Sequence, residues 1–137
     1  MLKNKVIVVT GAGSGIGRAA SIICAQAGAR VLATDYNEAS ARETAAMIGR
    51  QAGIAKAMQV DVSKESDVIA MVDFAVKSFG RLDGAFNNAG VPMHGKPLED
   101  LSEAEWNKVL DVNLKGVFFC MKHETLAMRK TGGGAIV

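Results

Sequence analysis

Apolar and polar positions alternate along this chain in two rhythms. Short apolar runs at residues 6–10, 30–34, 55–60 and 82–86 read as strands, the first of them buried on both faces as in a parallel sheet. Between them the apolar residues return every three or four positions. Ile16, Ala19, Ala20, Ile23 and Ala27 predict a helix that stops at Gly28. An Ala-rich helix over 38–52, charged on one side, closes at Gly53. Ser63 is placed as the N-cap of a third helix running to Phe79, with Val68, Val72, Ala75 and Phe79 as its packing stripe and Gly80 as its stop. A loop over 91–100 carries both prolines, Pro92 and Pro97. The capping box Ser102-Glu-Ala-Glu105 then opens a helix to about residue 130, with Trp106, Leu110, Asn113, Val117 and Met121 along one side. Asn113 is the anomaly, an amide within an apolar stripe. After Gly132-Gly-Gly134, residues 135–137 begin a fifth strand. Strands alternating with helices predict an α/β fold.

Composition narrows the picture without redirecting it. The 137 residues suit a single domain with a proper core, and 49% apolar with 22% charged residues is ordinary for a globular protein. A net charge of +2 with scattered signs argues against nucleic acid or a membrane surface as partner. Cys24 and Cys120 fall on separate predicted helices and read as reduced core thiols. Lys3, Lys5 and the apolar residues after them mimic a signal peptide, but glycines and Arg18 interrupt the run. No stretch approaches the roughly 18 consecutive apolar residues of a membrane span. A soluble, cytoplasmic protein is expected. His94 and His123 with the distant cysteines make no metal set, and His123-Glu124 lacks a second histidine at Ala127.

The chemistry begins where the first strand ends. Gly11, Gly13, Gly15 and Gly17 fall within seven residues, between a buried strand and a helix. That order brings backbone N–H groups and the positive end of a helix dipole to a phosphate, and missing Cβ atoms allow close approach. Strict G-x-G-x-x-G spacing fails at Ile16; only the looser form with Ala20 is met. A glycine-rich turn without a ligand is the alternative. Asp35 ends the second strand 18 positions beyond Gly17, where such folds set a carboxylate on the adenosine ribose. It would accept from the ribose hydroxyls and repel a 2′-phosphate. No Lys or Arg stands at Ser14, Tyr36 or Asn37 to offset that, so NAD is expected over NADP. Asp35 as a helix cap is the other reading. Asp61 could equally be a turn residue. Asn87-Asn-Ala-Gly90 sits at a strand's carboxyl end, where open α/β sheets bind ligands, or is a plain turn.

Thr10-Gly11-x-x-x-Gly15-x-Gly17, Asp61-Val62, Asn87-Asn-Ala-Gly90 and Asn113-Leu-Lys-Gly-Val-Phe118 stand in the order in which they occur in the classical short-chain dehydrogenases/reductases, which this chain resembles over essentially all its length. The resemblance implies a Rossmann-type doubly wound parallel sheet with helices on both faces, order 3-2-1-4-5, cut within strand 5. It implies NAD(P)-dependent hydride transfer between the nicotinamide and an alcohol or ketone. Cofactor contacts are carried onto Gly11, Ser14, Gly15, Ile16, Gly17, Asp35, Tyr36, Asp61, Val62, Asn88, Ala89 and Gly90. By the same resemblance, Asp61 contacts the adenine amino group and Asn87 ties neighbouring strands together. Asn113 becomes the member of a catalytic tetrad that holds a relay water; a helix-packing Asn bonded to backbone is its other reading. A homo-oligomer, dimer or tetramer, formed through the helix of Asn113 is implied as well.

The family's serine and Tyr-x-x-x-Lys are missing, since the only tyrosine is Tyr36 and position 40 is serine. The expectation is that the functional protein continues beyond residue 137 and that the chain alone binds cofactor without completing catalysis. A non-catalytic nucleotide-binding module is the alternative, and a structural or dimerising fragment without a ligand the third reading.

Overall fold

In the computed structural model, which describes residues 1–93 and 95–137, five strands lie parallel in the order β3-β2-β1-β4-β5. They are β1 (Val6–Thr10), β2 (Arg30–Asp35), β3 (Ile54–Gln59), β4 (Gly84–Asn87) and β5 (Ala135–Ile136). Helices α1 (Gly15–Gln26), α2 (Glu38–Arg50) and α3 (Glu65–Phe79) follow the first three strands, and α4 (Glu103–Leu110) and α5 (Gly116–Arg129) lie between β4 and β5. The sheet order is the expected one. β1 sits at its centre, pairing Val8 with Leu32 on one side and with Ala85 on the other.

β1 has no polar face because both of its faces are covered. Val6 and Val8 join Leu32, Met71, Leu82 and Cys120 in one core cluster beneath α3 and α5. Val9 joins Val31, Ala33 and Ile48 in the other, on the side of α1 and α2. Each such side chain contributes roughly 1.5–3 kcal/mol by leaving water. β3 is an edge strand, half exposed, which explains why its apolar signal is weak. The Val68, Val72, Ala75 and Phe79 stripe of α3 is buried as read, and Gly80 closes the helix at φ +84°.

Four local readings are corrected. The α1 stripe faces outward, with Ile16 72% and Ile23 63% exposed, while Gly17 and Ser21 make the buried contact. Ser63 does not cap α3; Lys64 holds that position and the Ser63 hydroxyl donates to Asp61 Oδ1 at 2.6 Å. α2 stops at Arg50 rather than 52, since Ala52 is already left-handed at φ 61°, and a Cβ on Gly53 would stand 2.6 Å from Ile48. β4 starts at Gly84 rather than Leu82, because Asp83 uses its carboxylate to accept from the Val6 amide at 2.9 Å. The Ser102–Glu105 capping box is present, with both of its reciprocal bonds. The long helix it opens is interrupted by a π turn, Asp111–Lys115.

Candidate cofactor-binding site

The sheet order reverses between β1 and β4, since the chain runs outward through β2 and β3 and returns to β4 on β1's other side. Crevices of parallel sheets open at the carboxyl ends of strands at such a point. A cleft of about 550 Å³ lies there. Gly11, Asp35, Tyr36, Asp61, Val62, Ala89 and Gly90 line it, seven of the residues expected from sequence.

The glycines divide the work. Gly11 and Gly15 take left-handed backbone, φ +64° and +51°, which turns the chain from β1 into α1. A Cβ on Gly17 would stand 2.1 Å from the Gly11 carbonyl oxygen, so its task is close packing of α1 on the strand end. A Cβ on Gly13 would stand 2.7 Å from Asp35 Oδ2. Only at Gly15 is the space open. Ser14 is the N-cap of α1 but its side chain makes no capping bond, and the first turn holds no acidic residue. The helix therefore presents its amides and dipole without a protein anion against them.

Asp35 is held from two sides, Oδ2 accepting from the Gly13 amide and Oδ1 from the Asn37 amide, each at 2.9 Å. The cap of α2 is Asn37, not Asp35, accepting from the Ser40 amide at 3.1 Å. Arg18 donates to the Gly13 carbonyl, to Thr44 Oγ1 at 3.0 Å and to Glu43 at 2.6 Å, clamping the turn from behind. At Asp61 partial burial pushes the carboxyl up. The Ser63 hydroxyl and amide and the Lys64 ammonium at 3.5 Å outweigh that and hold it below the usual carboxylate range.

In the Asn87–Gly90 turn the strand tie expected of the Asn87 side chain is made by its neighbour. Asn88 ties the strands, its Nδ2 donating to the carbonyls of Thr10 at 3.0 Å and Gly11 at 3.2 Å. Asn87 instead reaches α5, donating to Glu124 Oε2 at 2.9 Å. The Ala89 amide donates to Thr10 Oγ1 at 3.0 Å. Asn113 lies in the π turn and is exposed, not buried in a stripe. It accepts from the Val91 amide at 2.8 Å and donates to the Val91 carbonyl at 2.9 Å. That is the backbone-bonded arrangement, set 3.4 Å from where a Gly90 Cβ would stand. Sequence reasoning placed Thr10 in the glycine motif but missed it as a residue of the cleft. It also missed the wall formed by Ala104, Asn107, Lys108 and Val112, which comes from across the sheet. His94 lies outside the described residues.

A family model described as short chain dehydrogenase matches residues 5–137. The chain belongs to the short chain dehydrogenases. Among curated relatives it is 44% identical over 137 residues to a short chain dehydrogenase/reductase, astE, of Aspergillus oryzae, covering 99% of this chain and 52% of that protein. It is 42% identical over 134 residues to a cyclohexanol dehydrogenase of an Acinetobacter species, covering 98% and 53%. Among solved structures, levodione reductase superposes with a TM-score of 0.94 at 34% identity, covering 99% of this chain and 54% of that one. A metagenomic short-chain oxidoreductase in complex with NADP gives 0.92 at 33% identity, covering 98% and 61%. The chain spans about half the length of the curated relatives it matches. Its parallel sheet, order β3-β2-β1-β4-β5, is the Rossmann-type fold of this family. Among the described residues, no helix is long and apolar enough to cross a membrane.

Proposed function

We propose that residues 1–137 form the dinucleotide-binding unit of an NAD(P)-dependent oxidoreductase that interconverts a small alcohol and its ketone. The observation that carries this reading is convergence. Gly11, Asp35, Asp61 and Gly90, far apart in sequence, line one cleft beside an uncapped helix start. The pyrophosphate is held by the turn amides and the α1 dipole, and the adenine by Asp61 and Val62. Asp35 accepts from the ribose hydroxyls with lone pairs that Gly13 and Asn37 leave free. A 2′-phosphate beside that carboxylate meets like charge, and Arg18, the cation at this corner, is already paired with Glu43. NAD is therefore the preferred cofactor.

A nicotinamide held in this cleft would supply the hydride chemistry. Asn113 fixes the Val91 backbone beside Gly90 and holds a relay water at the reacting end. The family's Tyr-x-x-x-Lys, which moves the proton to and from the substrate oxygen, is not among these 137 residues. Hydride transfer is accordingly proposed for the whole protein and dinucleotide binding for this chain. Leu114, Phe118, Met121 and Leu126 stay exposed along α5 and its π turn, and we assign that face to a second copy in a homo-oligomer.

Trp106 stands on α4, the helix that walls the cleft, so NADH titration should quench the protein's fluorescence saturably. Replacing Asp35 by Ala and Tyr36 by Arg should weaken NAD by at least about tenfold, through loss of a charged acceptor for the ribose hydroxyls, and should tighten NADP by removing like charge and adding a cation beside the 2′-phosphate. An unchanged preference would overturn the ribose assignment. Absence of quenching by either dinucleotide would overturn the function.

A further inference from the structure

We propose that Glu124 carries a proton on the acid side of neutrality and donates it from Oε1 to Asn87 Oδ1, closing a two-point carboxyl–amide pair that makes Glu124 a positioning residue for the turn over 87–90. Glu124 is 0% exposed. Among the described residues, its carboxyl makes one bond, accepting from Asn87 Nδ2 at Oε2 at 2.9 Å. Among the described residues, Glu124 Oε1 and Asn87 Oδ1 are both buried without a partner. Buried polar atoms in folded proteins are nearly always paired, and an unpaired one costs roughly 1–3 kcal/mol. Here the two orphans belong to the two side chains already joined. An ionised carboxylate can only accept, so it leaves both unsatisfied; a single proton on Oε1 serves both.

Among the described residues, the surroundings offer that carboxylate no counter-charge. Lys122 and His123, its neighbours on α5, give their nitrogens to Glu65 of α3 at 2.8 and 2.9 Å. Cys120, one turn earlier, is a thiol pushed up to about 12 by burial and by Glu124. β4 presents the uncharged Asn87, and residues 135–137 are Ala, Ile and Val. Burial pushes Glu124 up to about 7, with the Asn87 bond opposing it. Next along the turn, Asn88 grips the Thr10 and Gly11 carbonyls, so the state of Asn87 bears on the glycine corner. This last consequence rests on the dinucleotide reading; the protonation does not.

The test is carbon-13 NMR of the Glu124 carboxyl across pH 5–8.5, alongside urea unfolding and NAD titration of wild type and Glu124→Gln. The amide of the Gln variant mimics the neutral acid, donating to Oδ1 permanently. The expected carboxyl shift is that of the protonated form at pH 5, with its midpoint near 7. Since the folded value lies above the ordinary 4.5, stability from this group is complete below 4.5 and is lost as pH rises toward 7. The folding constant of wild type relative to the Gln variant should fall by up to about tenfold per pH unit in that window, then level. NAD affinity should weaken by about fivefold through the same midpoint in wild type only. A carboxylate shift already at pH 5 overturns the proposal, as does an identical pH slope in both proteins. A carboxyl midpoint near 7 with pH-independent NAD affinity overturns the positioning role. Failure to bind NAD at any pH overturns the cofactor reading while the carboxyl midpoint still decides the protonation.

Discussion

Gly17 and Gly15 lie two residues apart and are glycines for different reasons, which makes them a clean pair to substitute. Alanine at 17 would set a Cβ 2.1 Å from a backbone oxygen that cannot yield without moving β1 from α1. A loss of about 3 kcal/mol is expected in urea unfolding. Alanine at 15 meets nothing within 4 Å and bears only the strain of φ +51°, about 1 kcal/mol. Equal losses would contradict this division. Which glycine does which could not be read from sequence, because a Thr-Gly-x-x-x-Gly-x-Gly string gives spacing but not what each absent Cβ faces. That the strand tie falls to the side chain of Asn88 rather than Asn87 escaped reading for a similar reason. Adjacent residues at a strand end point to opposite sides, and only the placement of α5 decides which one meets a partner.

At the scale of elements, the strands and helices were legible because both faces of the sheet are covered and apolar spacing reports burial directly. The exception is α1. Its strongest apolar residues lie outside while Gly17 and Ser21 pack inward, since close approach to the strand selects small side chains that a hydrophobic pattern does not register. The π turn at Asp111–Lys115 was equally silent. It carries Asn113, whose two bonds hold Val91 next to Gly90. Replacing Asn113 with Ala should cost only about 1 kcal/mol, as these bonds are exposed. The Val91 amide should nonetheless exchange with solvent faster, while amides of β1 stay protected. Uniform acceleration would mean that the residue supports the whole fold rather than this one turn. Ser102→Ala, which removes the hydroxyl of the capping box, should cost a further independent ~1 kcal/mol in the same unfolding assay.

Over the whole molecule, the two ends of the strands are built for different purposes. At the amino ends a charge cluster closes the sheet. Asp83 accepts from the Val6 amide at 2.9 Å, from Arg81 at 2.5 Å and from Lys5 at 3.2 Å. Burial pushes its carboxyl up, but these bonds outweigh that and hold it below the ordinary 3.8. Its contribution is therefore present above pH 3.8 and lost as pH falls through the depressed folded value. Asp83→Asn should cost about 2 kcal/mol at neutral pH and flatten the acid limb of the stability profile. An unchanged acid limb would place the source elsewhere. At the carboxyl ends the same sheet leaves a cleft, glycines and a helix start without a protein anion.

By the function proposed above, this carboxyl end receives a dinucleotide, with its pyrophosphate on the first turn of α1. Amide chemical-shift mapping during NAD titration tests it residue by residue. The largest shifts should fall on residues 13–17, followed by 61–62 and 89–90, and should saturate together. Shifts confined to the outer face of α5, or none at all on folded protein, would contradict it.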